Sequence, residues 1–151
     1  MDIKNLKPNK GSRAWTNQGY LDPRSCKKLF QGNISNDLII FRSSWERKFA
    51  YWCEREPSIK YWGSECVTIP YILYDGTQHT YNPDFLIEYQ DGTRCIVEIK
   101  PMTQCKRPIN ENGWLWNEYR KNMCKWVAAK KYCADRGFQF KILTEKTINQ
   151  L

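Results

Sequence analysis

A chain of 151 residues that is 41% hydrophobic and 15% aromatic can bury one substantial core but not two, which excludes intrinsic disorder as its general state. Lys and Arg number 24 against 16 Asp and Glu, a net charge of +8, so polyanions such as nucleic acid are favoured partners. Seven scattered cysteines include no CxxC pair and the only histidine is His79, which argues against a zinc site and for reduced thiols in a cytosolic setting.

Residues 1–37 are rich in Lys, Asn, Gly, Ser and Pro without a hydrophobic period. They read as a basic N-terminal extension, either an arm that contacts phosphates or a protein partner, or a loose tail. No apolar stretch follows the charges of MDIKNLKPNKGSR, so neither a signal peptide nor a membrane anchor is expected, and the protein should stay on the side of the membrane where it is made. The folded domain is expected over residues 38–151. Ser43 can cap a helix whose apolar positions Trp45, Phe49, Trp52 and Cys53 recur at helical steps, ending near Pro57. Strands are expected over 58–62 and 66–74, then a turn at Asp75 and Gly76. Two more, 80–89 and 93–99, flank a second turn, and Pro101 stops the last because it cannot donate to a ladder. Residues 102–113 read as a polar loop. From 114 to 136 the pattern is helical, with Tyr119, Met123, Trp126, Val127 and Cys133 on one side and Gly137 closing the helix. A final strand follows over 138–143. This order predicts an α/β fold: a mixed β-sheet flanked by helices.

The chemistry concentrates in Asn82-Pro83-Asp84 and Cys95-Ile96-Val97-Glu98-Ile99-Lys100. Residues two apart on a strand share a face, so Glu98 and Lys100 project together. Whether Asp84 joins them depends on the turn. If the loop holds only Asp91 and Gly92, Asp84 opposes Ile99 and points away from Glu98. If it holds Gln90, Asp91 and Gly92, with Gly92 left-handed, Tyr89 pairs with Thr93 and Asp84 falls opposite Glu98. A kink at Pro83 would alter either register. Adjacent carboxylates repel unless a cation neutralises them, and hard oxygen ligands suit Mg²⁺, with Mn²⁺ as a substitute. Such an ion binds a phosphate oxygen, acidifies water and stabilises a departing 3′ oxygen. The Ile99 carbonyl offers a further ligand, and Lys100 can orient or help deprotonate the attacking water.

Each element also has a plainer reading. Glu-x-Lys on a strand is commonly a solvated pair, although Val97 and Ile99 make this strand apolar. The other acid-x-Lys, Asp2-Ile3-Lys4, has no carboxylate strand before it. Glu46 fits two roles: a further carboxylate for the ion, or the third helical residue of a capping box begun by Ser43. His79 reads as a surface or packing residue. Trp114, Trp116 and Trp126 fit core packing or base stacking. Arg42, Arg120, Lys121 and Lys125 are candidates for phosphate contacts, and Lys130 and Lys131 add to the long helix's positive charge, though a solvated face would look the same.

The stretches RSSWERKFAYW, IKYWGSE with TIPY, NPDFLIEY, CIVEIKP and KWVAAKKYCADRGFQFKILTE resemble the head completion nucleases of T4-type tailed phages. More distantly they resemble the N-terminal nuclease domain of the transposition endonuclease TnsA. The likeness spans roughly residues 41–145 and has no counterpart for residues before 38. It implies a restriction-endonuclease-like PD-(D/E)xK fold and metal-dependent cleavage of double-stranded DNA. It places the helix carboxylate on Glu46, the strand carboxylate on Asp84 and the Glu-x-Lys pair on Glu98 and Lys100. It further implies action on packaged DNA or at the portal before tails join, in the host cytoplasm or virion, with head or portal proteins as partners. Two other classes fit the same residues: a non-catalytic DNA-binding or head-assembly protein on this fold, and a repair or recombination endonuclease.

Overall fold

A computed structural model describes residues 19–30 and 38–151. In chain order its elements are β1 (Gly19–Leu21), β2 (Ile39–Phe41), α1 (Ser44–Arg55), β3 (Ile59–Ser64), β4 (Ile69–Ile72), β5 (Gln78–Tyr81), β6 (Phe85–Tyr89), β7 (Arg94–Ile99), α2 (Met102–Cys105), α3 (Gly113–Arg136), β8 (Gln139–Leu143) and α4 (Glu145–Ile148). The main sheet has the order β3-β6-β7-β8. Its first two pairings are antiparallel and β7–β8 is parallel, with α3 as the crossover that a parallel connection requires. β1–β2 and β4–β5 form two smaller antiparallel sheets.

The central strand β7 is covered on both faces, which is why it reads as a nearly continuous apolar run. Cys95, Val97 and Ile99 pack with Phe49, Ala50 and Cys53 of α1 and with Ile148 of α4. Ile96, on the other face, packs with Ala129 and Cys133 of α3. Ser43 caps α1 by accepting the Glu46 N–H at 3.2 Å, and Pro57 ends it by holding Glu56 extended. α3 buries Asn122, Trp126, Ala129 and Cys133, a row at helical steps, and closes on Gly137 at φ 71°. The expected inner face differs at Val127, which is 71% exposed because it lies one residue off that row. All seven cysteines are unpaired, and no helix among the described residues is long and apolar enough to cross a membrane.

The strand expected over residues 80–89 is two strands. Pro83 has no N–H to offer a ladder, so β5 ends at Tyr81 and pairs with β4, while β6 starts afresh at Phe85. The loop expected over 102–113 opens with the single turn α2, and α4 follows β8 unannounced, anchored by the fully buried Ile148.

Of the extension expected over residues 1–37, residues 1–18 and 31–37 lie outside the described residues. Residues 19–30 are packed structure, not an arm. Leu29 is buried beside Trp62 in a parallel bridge, with Phe30 N donating to Trp62 O at 3.0 Å and Trp62 N to Lys28 O at 2.9 Å. The Glu54 carboxylate accepts the Lys27 and Lys28 N–H groups at 3.1 Å each and the Trp62 indole N–H at 2.9 Å. Lys28 Nζ in turn donates to the Glu56 and Cys53 carbonyls at 2.7 and 3.3 Å, closing the end of α1. Glu54→Ala strips three donors of their acceptor, so we expect a loss of about 2 kcal/mol, read in a thermal melt as a midpoint lower by roughly 4–8 °C.

Candidate active site

The turn between β6 and β7 decides where Asp84 points. Phe85 pairs with Val97, Leu86 with Ile96, Ile87 with Cys95 and Glu88 with Arg94. Tyr89 N donates to Thr93 O at 2.9 Å, and Gly92 sits at φ 87°, so the loop is the three-residue form Gln90-Asp91-Gly92. Asp91 steadies it by accepting the Thr93 N–H at 2.8 Å. Continued one pair further, this register sets Asp84 opposite Glu98 on one face of the sheet. Asp84 N donates to Glu98 Oε1 at 3.1 Å, and Ile99 N donates to Asp84 Oδ2 at 2.7 Å. Pro83 precedes the paired residues and leaves them in register. Lys100 lies on the same face, its N–H held by Leu143 O of β8 at 2.9 Å.

These side chains open onto a polar cleft of about 280 Å³ lined by Arg42, Glu65, Asp84, Glu98, Lys100 and Lys125, with Thr80, Tyr81 and Asn82 completing the wall. Glu98 is only 5% exposed. Burial, and then the Asp84 charge, push its carboxyl up to about 8. The same two causes push Glu46 up to about 7. Burial also lifts Asp84, to about 6, against the Ile99 N–H and the Lys100 charge, which pull it down. The cleft thus holds carboxylates whose charging is resisted in the absence of a cation. Among the described residues no three His, Cys, Asp or Glu side chains form a ready-made ligand set. Two adjacent carboxylates on the wall of a polar cleft fit Mg²⁺, a hard ion that keeps several of its waters.

Glu46 completes only part of the capping box. Its N–H is capped by Ser43, but its carboxylate accepts the Arg42 N–H at 3.1 Å instead of the Ser43 N–H, and it faces Asp84 electrostatically. Arg42 lies at the cleft mouth, 3.8 Å from Glu65. The basic row of α3 divides. Lys125 turns into the cleft, Lys121 pairs with Glu118 at 3.0 Å, and Arg120 lies 3.7 Å over the Tyr74 ring while donating to Asn117. Trp126 is core, Trp114 is 55% exposed, and Trp116 has the Arg107 and Arg120 guanidinium groups 5.2 and 5.6 Å from its ring centre. His79 is outside the cleft, bonded to Thr77 and stacked on Tyr71. Glu65 and Tyr81 were not anticipated. Glu65 has a left-handed backbone, φ 50°, and its N–H is tied to Asp84 O at 3.0 Å, a tertiary contact with no local sequence signature.

A mixed four-stranded sheet flanked by helices, with an acidic residue across a hairpin from Glu-x-Lys, defines the restriction-endonuclease-like fold. The chain belongs to the TnsA-like endonuclease N-terminal family, whose family model matches residues 56–145. That span takes in Glu65, Asp84, Glu98, Lys100 and Lys125, while Arg42 and Glu46 precede it. The head completion nuclease of Enterobacteria phage T4 is 32% identical over 124 residues, covering 75% of this chain and 83% of that protein.

Proposed function

We propose that this chain is a Mg²⁺-dependent endonuclease that hydrolyses phosphodiester bonds in double-stranded DNA. The observation that carries the reading is the hairpin register that sets Asp84 beside Glu98 and leaves Lys100 on the same face. Asp84, Glu98 and the Ile99 carbonyl would hold the ion, Mn²⁺ serving as a substitute, with Glu46 assisting through its position against Asp84. Bound Mg²⁺ supplies positive charge for a phosphate oxygen, for acidifying water and for the departing 3′ oxygen. Lys100 orients the attacking water and offsets the charge that builds on the phosphate. Arg42 and Lys121 contact phosphates flanking the cut, and Arg120 borders them. Supercoiled plasmid incubated with the protein should be nicked or linearised in Mg²⁺ and remain intact in EDTA; equal cleavage in EDTA would overturn the reading.

Similarity to a phage head completion nuclease supports a place in phage particle assembly, on packaged DNA or at the portal before tail attachment, in the host cytoplasm or virion. Glu46→Gln separates its two roles. An assisting carboxylate predicts a cleavage rate lower by about 10- to 100-fold with a melt no lower than that of the wild type. A pure cap predicts the reverse.

A further inference from the structure

We infer that Lys125 contacts the scissile phosphate directly and is a second catalytic lysine beside Lys100, a reading that rests on the endonuclease function above. Lys125 comes from α3, the helix across the cleft from the strand that carries Lys100, and shares that cleft with Asp84 and Glu98. Its place is set from both ends. Its backbone carbonyl accepts the Tyr81 hydroxyl at 3.1 Å, and its ammonium lies 5.4 Å from the Tyr81 ring centre and 5.9 Å from that of Tyr71.

One turn earlier, Lys121 shares its ammonium with Glu118 and keeps only part of its charge for flanking phosphates, whereas among the described residues the Lys125 ammonium has no direct ion pair. Its donors therefore remain for a ligand. Around the cleft stand four carboxylates, Glu46, Glu65, Asp84 and Glu98, and three cations, Arg42, Lys100 and Lys125. One divalent ion brings this set to a single positive charge, which one phosphodiester anion neutralises. Without Lys125 the filled site is already neutral, and no positive charge is left over for the negative charge that builds on the phosphate as it is attacked. A lysine that only tracked the DNA backbone would be solvated, as Lys130 and Lys131 are on the outer face of the same helix.

The test uses Lys125→Met, which keeps the aliphatic stem and its packing on the aromatic rings, with Lys125→Arg and the exposed control Lys131→Met. Cleavage of a duplex in Mg²⁺ should show kcat lower by roughly 100-fold for Lys125→Met, KM within about threefold of wild type and an unchanged melt. Lys125→Arg should recover part of the loss, and Lys131→Met should act on KM alone. With Ca²⁺ supplied in place of Mg²⁺ so that the oxygen ligands stay occupied, duplex DNA should shield Lys125 and Lys100 together from an amine-acylating reagent, read by mass spectrometry. An unchanged kcat with a raised KM would overturn the inference, as would equal acylation with and without DNA, or a lowered melt that Arg does not restore. A wild-type protein that fails to cut in Mg²⁺ overturns the endonuclease reading itself, and this inference with it.

Discussion

Asp84→Asn is expected to reduce Mg²⁺-dependent cleavage about a thousandfold or more while raising the melting temperature of the metal-free protein near neutral pH. Both halves follow from one geometry. The Asn carbonyl oxygen can still accept the Ile99 N–H that Asp84 Oδ2 holds at 2.7 Å, so the β6–β7 join survives. The Asn amide replaces a repelling carboxylate beside Glu98 with a hydrogen-bond donor. What disappears is a negatively charged oxygen for the ion. Lys100→Ala should remove cleavage to a similar extent with Mg²⁺ binding retained, because its charge serves the water and the phosphate. Plasmid cleavage, calorimetric Mg²⁺ titration and thermal melts check these outcomes. Undiminished cleavage by purified Asp84→Asn would place the chemistry elsewhere.

The second large effect is a fall in stability of the metal-free protein as pH rises. In the unfolded chain Asp and Glu carboxyls titrate near about 4. In the fold, burial and mutual repulsion hold Asp84 up to about 6, Glu46 to about 7 and Glu98 to about 8. Between about pH 4 and about pH 8 the folded protein retains protons that the unfolded chain has shed, so stability is greatest at the acidic end and declines toward the alkaline end. Each kcal/mol moves the midpoint of a chain this size by roughly 2–4 °C. In EDTA the melt should therefore drop by several degrees from about pH 5 to about pH 8. Mg²⁺ should restore much of the difference near pH 8 and little near pH 5, where protons occupy the same oxygens. A melt indifferent to both variables would mean that these carboxyls are not thrown together as the cleft places them.

The hairpin was legible from local rules because its register depends on three residues, Gln90, Asp91 and Gly92, and a left-handed glycine selects one of two pairings. α1 and α3 were legible for the same kind of reason: a cap at Ser43, a stop at Gly137 and apolar residues at helical steps. The exact inner face of α3 was less so, since Val127 and Trp126 are adjacent in sequence and only packing chooses between them. What escaped depends on contacts distant in sequence. Glu65 reaches the cleft because its N–H is fixed by the Asp84 carbonyl, and residues 27–30 join the fold because Glu54 and Trp62 gather them. Neither partnership leaves a pattern within a short window. The polar composition of residues 19–30 hid a segment whose few apolar side chains, Leu29 above all, carry its attachment.

That segment also bears on solubility. With residues 28–30 in place, β3 does not end the sheet; peel them away and its outer row of amide and carbonyl groups is bared along a ribbon that includes Tyr61. Such a ribbon is a template for a second molecule to add itself, and the sticky margin it creates is one the chain otherwise covers with its own N-terminal stretch.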